Sequence, residues 1–174
     1  MAYEITVVDI ETKTLLVAKG HTTLAELPAT IGGLLGEVWD YVNNEGIAAG
    51  LNVVLYPVQE DEPVMGQDSS APVEAGIEFA SAAESDLSED DQTEATEEVS
   101  ILPCGLALSS TPVGHAATTT HWGAYSGLVH AHAAVQDWCQ QNDLPMQGTN
   151  WEIYGHWSDD PTQVRTDVIY LLKS

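Results

Sequence analysis

The stretch GTNWEIYGHW, residues 148 to 157, sets one carboxylate, Glu152, among Trp151, Tyr154, His156 and Trp157. An unpaired ionised carboxylate is costly to move away from water, so an acid in this company faces solvent, shifts its pKa or meets a cation. Alternation along a strand puts Glu152, Tyr154 and His156 on one face and Trp151 and Ile153 on the other. A flat organic cation gains roughly 0.5 to 2 kcal/mol from each aromatic face it covers, and a carboxylate beside it supplies the opposite charge. A solvent-facing strand acid and an anchor for such a cation are the two readings of Glu152, with Tyr154 beside it on the same face as a candidate wall. Trp151 shares a cleft with Glu152 only if the strand twists or bulges.

A second cluster, THWGAY, places His121, Trp122 and Tyr125 around Gly123 at the turn into a helix. These three, with Tyr56 and Trp39, complete the candidate ligand-binding set. No catalytic residue is singled out by spacing. His130 and His132 lie about 200° apart around a helix and cannot grip one ion together. His132 reads as a core histidine. No metal site or cofactor is expected, and Cys104 and Cys139 stand apart, without a metal-binding or disulfide pattern.

The elements that must carry these residues occur twice. VWDYVNNEGIAAGLNVVLY, from Val38, aligns with VQDWCQQNDLPMQGTNWEIY, from Val135, with one inserted residue. Asp40 falls on Asp137, Tyr41 on Trp138, Gly50 on Gly148, Asn52 on Asn150 and Tyr56 on Tyr154, which argues for a duplication. Glu152 falls on Val54. Each copy begins this match with a helix: Ile31, Leu34, Leu35, Val38, Tyr41 and Val42 form one apolar face, and Leu128, Ala131, His132, Val135, Trp138 and Cys139 take the same places in the other. The helices are expected to stop near Gly46 and Asp143. Strands follow over Leu51 to Pro57 and Thr149 to Trp157, then Val73 to Ala80 and Arg165 to Leu172. Before each helix an extended segment doubles back, with turns near Glu11 to Lys13 in one copy and near Pro103 and Pro112 in the other. The expected fold is α+β: tandem β-α-β-β repeats forming one curved antiparallel sheet with both helices on one face. We expect a single domain over 1–174, with repeat one at 1–82, an acidic loop at 83–96 and repeat two at 97–174.

The chain has 4 basic and 27 acidic residues, a net charge of −23 over 174 residues. Lys and Arg are what displace counterions from phosphates, so direct nucleic-acid binding is not expected. Such a field attracts cations or a basic or DNA-binding protein partner, or adapts the chain to salt. The start MAYEITVVDI lacks a secretory pattern and no run is long and apolar enough for a membrane span. A cytoplasmic protein with no membrane partner is expected, and a homodimer is compatible with the sequence.

The pattern H-x-G-x-Y, a helix ending near a tryptophan, then G-x-x-x-E-x-Y and a strand at TDVIYLL resembles the GyrI-like small-molecule-binding domain, also the effector-binding domain of AraC-type and multidrug-sensing regulators. The residues that carry it are His121, Gly123, Tyr125, Trp138, Gly148, Glu152 and Tyr154. The resemblance implies a ligand cleft between the repeats, with Glu152 meeting positively charged aromatic ligands. The sequence departs from it in lacking a helix-turn-helix segment, in its acidic insert, in Trp122 and in its Leu171–Leu172 ending. A stand-alone binder of amphipathic, cationic aromatic compounds is the first functional expectation. Two others stand beside it: a GyrI-like hydrolase of cyclopropanoid compounds, with Glu152 activating water, and an acidic DNA-mimicking inhibitor of a DNA-binding enzyme.

Overall fold

The computed structural model describes residues 2–58, 65–79, 102, 104–156 and 158–174. The described strands are β1 (Thr6–Ile10), β2 (Thr14–Thr22), β3 (Ala49–Tyr56), β4 (Ala71–Phe79), β5 (Ala107–Ser110), β6 (Gly114–Trp122), β7 (Met146–Tyr154) and β8 (Arg165–Leu172). Helix α1 spans Leu27–Glu45 and α2 spans Leu128–Gln141. The stops fall where weak helix formers begin: Gly46 caps α1 at φ 64°, and Asp143, at φ 54°, follows α2. The acidic stretch 83–96, Ala80, Pro103 and Trp157 lie outside the described residues. No described helix is long and apolar enough to cross a membrane.

All eight strands form one antiparallel sheet in the order β1-β6-β8-β7-β3-β4-β2-β5. The architecture is the expected α+β sheet with two helices. The duplication is visible in the central register, where Asn52 pairs with Tyr154, Val54 with Glu152 and Tyr56 with Asn150. Val54 thus faces its own counterpart, while Asn52 faces the counterpart of Tyr56 and Tyr56 that of Asn52, which is the signature of a local two-fold axis passing between Val54 and Glu152.

Both helices lie on one face because each carries a single apolar stripe. Leu34, Val38 and Val42 of α1 pack on Leu16, Ala18 and Ile77, while Leu128, Ala131, Val135 and Cys139 of α2 pack on Ala117, Val168 and Tyr170. No described helix covers the opposite face, yet Leu15, Val17, Val53 and Trp151 are buried there. Curling of the sheet explains it. Residues 11–13 join β1, at one edge, to β2, next to the other edge, and residues 111–113 join β5 to β6 in the same way. Links this short reach on the order of 10–14 Å, so the edges must approach each other. They are fastened where they cross: the Thr111 N–H donates to the Lys13 carbonyl at 3.0 Å, and Thr12 Oγ1 donates to the Thr111 carbonyl at 2.8 Å. The leading segment therefore does not double back as a hairpin. β1 leaves its own repeat and pairs with β6 of the other.

Close strand packing inside the curl requires Gly76 on β4. A Cβ there would fall 1.8 Å from the Leu16 carbonyl oxygen of β2.

Candidate functional site

β7 turns Glu152 and Tyr154 toward the helices and Trp151 away from them, as alternation requires. Glu152 is buried, with 4% of its surface exposed. Its carboxylate takes three donors. Tyr154 Oη donates to Oε2 at 2.6 Å and Tyr56 Oη donates to the same oxygen at 3.2 Å. His132 Nε2 lies 2.6 Å from Oε1. Behind the imidazole, Nδ1 is 2.8 Å from Tyr170 Oη, which accepts from Gln136 Nε2 at 3.0 Å.

With the proton of His132 on Nε2, every contact in this chain joins a donor to an acceptor. Gln136 donates to Tyr170, Tyr170 spends its proton on His132 Nδ1, and the Nε2–H donates to Glu152.

Burial first, and the Glu152 carboxylate after it, push the Tyr56 and Tyr154 phenols far above the ordinary tyrosine value. Burial also pushes Tyr170 up to about 12, against the opposing pull of the Gln136 hydrogen bond. A raised pKa in the folded state means that folding retains protons the unfolded chain releases above about pH 10. The stability from these phenols is therefore fully present below about pH 10 and is lost as pH rises further. In a spectroscopic alkaline titration, the phenolate signals of Tyr56, Tyr154 and Tyr170 are expected to appear together with the loss of fold. Their ionisation while the circular dichroism stays native would contradict the arrangement.

The acid lies at the floor of a cavity of about 780 Å³ between α1 and α2. Leu27, Ile31 and Leu35 of α1 form one wall, and His132 and Gln136 of α2 form another. Tyr125 closes one side, its ring edge-on to Tyr154 at 5.4 Å and 75°. Leu24, Val58, Tyr125 and Val129 line the cavity and are also exposed, so they mark its mouth.

Of the residues expected to bind a ligand, Glu152, Tyr154, Tyr56 and Tyr125 come together here. Trp151 does not: it is buried on the opposite face among Leu15, Val17, Val53 and Leu55, because the strand does not bulge at that point. Trp122 is 57% exposed at the end of β6 and does not line the cavity. His121 is buried outside it, with Nδ1 at 2.8 Å from Tyr3 Oη and Nε2 at 3.0 Å from the Ala124 carbonyl. That contact fixes the turn from which Tyr125 projects. Gly127 permits it, since a Cβ there would lie 2.7 Å from the His121 ring. Trp39 also stands back from the cavity, donating from Nε1 to Asn52 Oδ1 at 2.9 Å, and Asn52 is a lining residue.

Sequence reasoning left out Gln136 and Tyr170 and read His132 as core. The signal available was a histidine at the place of Leu35 on an otherwise apolar face, together with the asymmetry of Glu152 over Val54.

No family model matches the chain, and no curated protein matches it. Solved structures do. The C-terminal domain of EcmrR is 14% identical, with a TM-score of 0.64 over 100% of this chain and 99% of that one. The two share one fold. SAV2435, whose structure holds tetraphenylphosphonium, is 12% identical with a TM-score of 0.57, covering 100% of this chain and 95% of that one. A hydrolase encoded by lin2189 of Listeria innocua is 12% identical with a TM-score of 0.53, over 99% of this chain and 93% of that one. At these identities it is the fold that is shared.

Proposed function

We propose that this chain binds amphipathic, cationic aromatic small molecules in the cavity between its repeats, as a cytoplasmic sequestering or sensing domain with Glu152 as the charge partner. The observation that carries the reading is a buried carboxylate, ringed by Tyr56 and Tyr154, at the floor of a large and mostly apolar cavity. An organic cation loses little by leaving water for such a place when phenol faces and a nearby anion meet it. The tetraphenylphosphonium bound by SAV2435 is of this chemical class.

The test is a tryptophan-fluorescence titration with tetraphenylphosphonium at high salt, where attraction by the net charge of −23 is screened. Saturable binding is expected, with Glu152→Gln at least tenfold weaker and still folded. Equal affinity in the two chains would rule out the role of Glu152.

A second reading, hydrolysis, is favoured by the His132–Glu152–Tyr154 cluster, which sets a carboxylate and a phenol within reach of a bound substrate. Turnover of a cyclopropanoid substrate, lost in Glu152→Gln, separates it from simple binding. Affinity without product in the wild type excludes it for that substrate.

A further inference from the structure

The two-fold axis that relates the repeats runs through the cavity floor, yet the chemistry on its two sides is unlike. Glu152 is answered by Val54. His132, by the match of the helices, is answered by Leu35. Tyr170 pairs with Asn150 as Ile77 pairs with Asn52, so Tyr170 is answered by Ile77. Every member of the polar chain from Tyr170 through His132 to Glu152 thus has a hydrocarbon counterpart, and Val54 is packed against Leu27, Ile31 and Leu35 of α1. Those three recur every four residues along one side of α1 and remain only half-buried because they front the cavity. The apolar strip continues outward to the exposed Leu24 and Val58 at the mouth.

A symmetric pocket with two acids would suit a ligand charged at both ends. Among the described lining residues, this one has a carboxylate on the α2 side and a run of leucine and isoleucine along α1 on the other. We propose that the site takes a ligand with one cationic head and one extended apolar arm, the head over Glu152 on the α2 side and the arm along Leu27, Ile31 and Leu35 of α1 toward the mouth. The inference rests on the cation-binding reading above and adds the polarity and the shape of the ligand. A second cationic group at the end of the arm is disfavoured, since among the described residues the first repeat lines the cavity with no carboxylate and the group's water must be stripped against leucine and isoleucine.

The experiment uses the full chain at high salt, with alkyltrimethylammonium ions from butyl to decyl, decane-1,10-bis(trimethylammonium), and tetraphenylphosphonium as the reference ligand. Isothermal titration calorimetry gives the affinities. Each added methylene that enters the α1 strip is expected to strengthen binding about three- to fourfold, the equivalent of ~0.8 kcal/mol per buried methylene. The bis-cation is expected to bind at least tenfold more weakly than the decyl mono-cation. Ile31→Asn should flatten the dependence on chain length, whereas Glu152→Gln should weaken every member by a similar factor and leave the slope intact. Circular dichroism confirms that both variants fold, and Leu35→Asn provides a second probe of the strip if Ile31→Asn does not.

Saturable tetraphenylphosphonium binding with an alkyl series that is flat with length, or a bis-cation as tight as the mono-cation, overturns the single-headed ligand and leaves the cation site standing. If neither tetraphenylphosphonium nor any alkylammonium binds, the cation site and this inference fall together.

Discussion

His132→Leu alone is expected to cost about 3 kcal/mol of stability, and adding Glu152→Val to it is expected to restore most of that loss. The reason lies in what each change leaves behind. The Glu152 side chain is 5% exposed and that of His132 21%, so their contact is largely shielded from water. Removing the histidine strips the buried carboxylate of the donor on Oε1 and the Tyr170 proton of its acceptor. Removing the carboxylate as well deletes the group that needed solvation, and Val and Leu are the residues the first repeat carries at these two places. Urea denaturation of the four chains of the cycle, free of ligand, gives the coupling directly. Losses that simply add, within about 0.5 kcal/mol, would mean that the two side chains do not depend on each other. The double variant should also bind no cation, so stability and affinity would move in opposite directions as the second substitution is added to the first.

Gly76→Ala is expected to remove more than about 4 kcal/mol, enough to leave little folded protein. β4 runs between β2 and β3, with Gly76 opposite Val17 on one side and Val53 on the other. The atoms an added methyl would strike are main-chain: the Leu16 carbonyl oxygen at 1.8 Å and the Val17 Cα at 2.7 Å. No rotamer change relieves such a clash, and separating the strands would break the ladder that supports the first repeat. Gly36→Ala, in α1, is the control, because a Cβ there meets nothing within 4 Å, and alanine is the better helix former by about 1 kcal/mol. Similar urea midpoints for Gly76→Ala and the wild type would show that the strands have slack.

Much of this was legible in the sequence because it rests on local pattern. The 3.6-residue spacing of Ile31 to Val42 and of Leu128 to Cys139 located both helices and their buried faces. Strand alternation put Glu152 and Tyr154 together and separated Trp151 from them. The repeat alignment paired Val54 with Glu152 before any contact between them was known. What failed was what depends on distance through space. His132 occupies a core position by spacing, but α1 and α2 stand apart at that level, and a gap between two helices leaves no mark on either one's periodicity. Tyr170 sits in the apolar run VIYLL, where only its partner on α2 distinguishes it from a core tyrosine. The ring nitrogens of Trp39 and His121 are engaged behind the cleft, positioning Asn52 and the turn before Tyr125, which no spacing in the sequence reveals.

The passage of β1 into the other repeat also sets the order in which the chain can be completed during synthesis. When β1 leaves the ribosome its one sheet neighbour among the described strands, β6, has not yet been made. Tyr3 waits still longer, for His121, 118 residues further on. Through that interval Thr6–Ile10 has open hydrogen-bonding edges on both sides. β5 is spared the same wait, since β2 is already made when it emerges. β1 is therefore made before β2 but docks only after β6 is made, and the time a nascent chain spends with TVVDI unpaired is set by translation through β6 rather than by the folding of the first repeat.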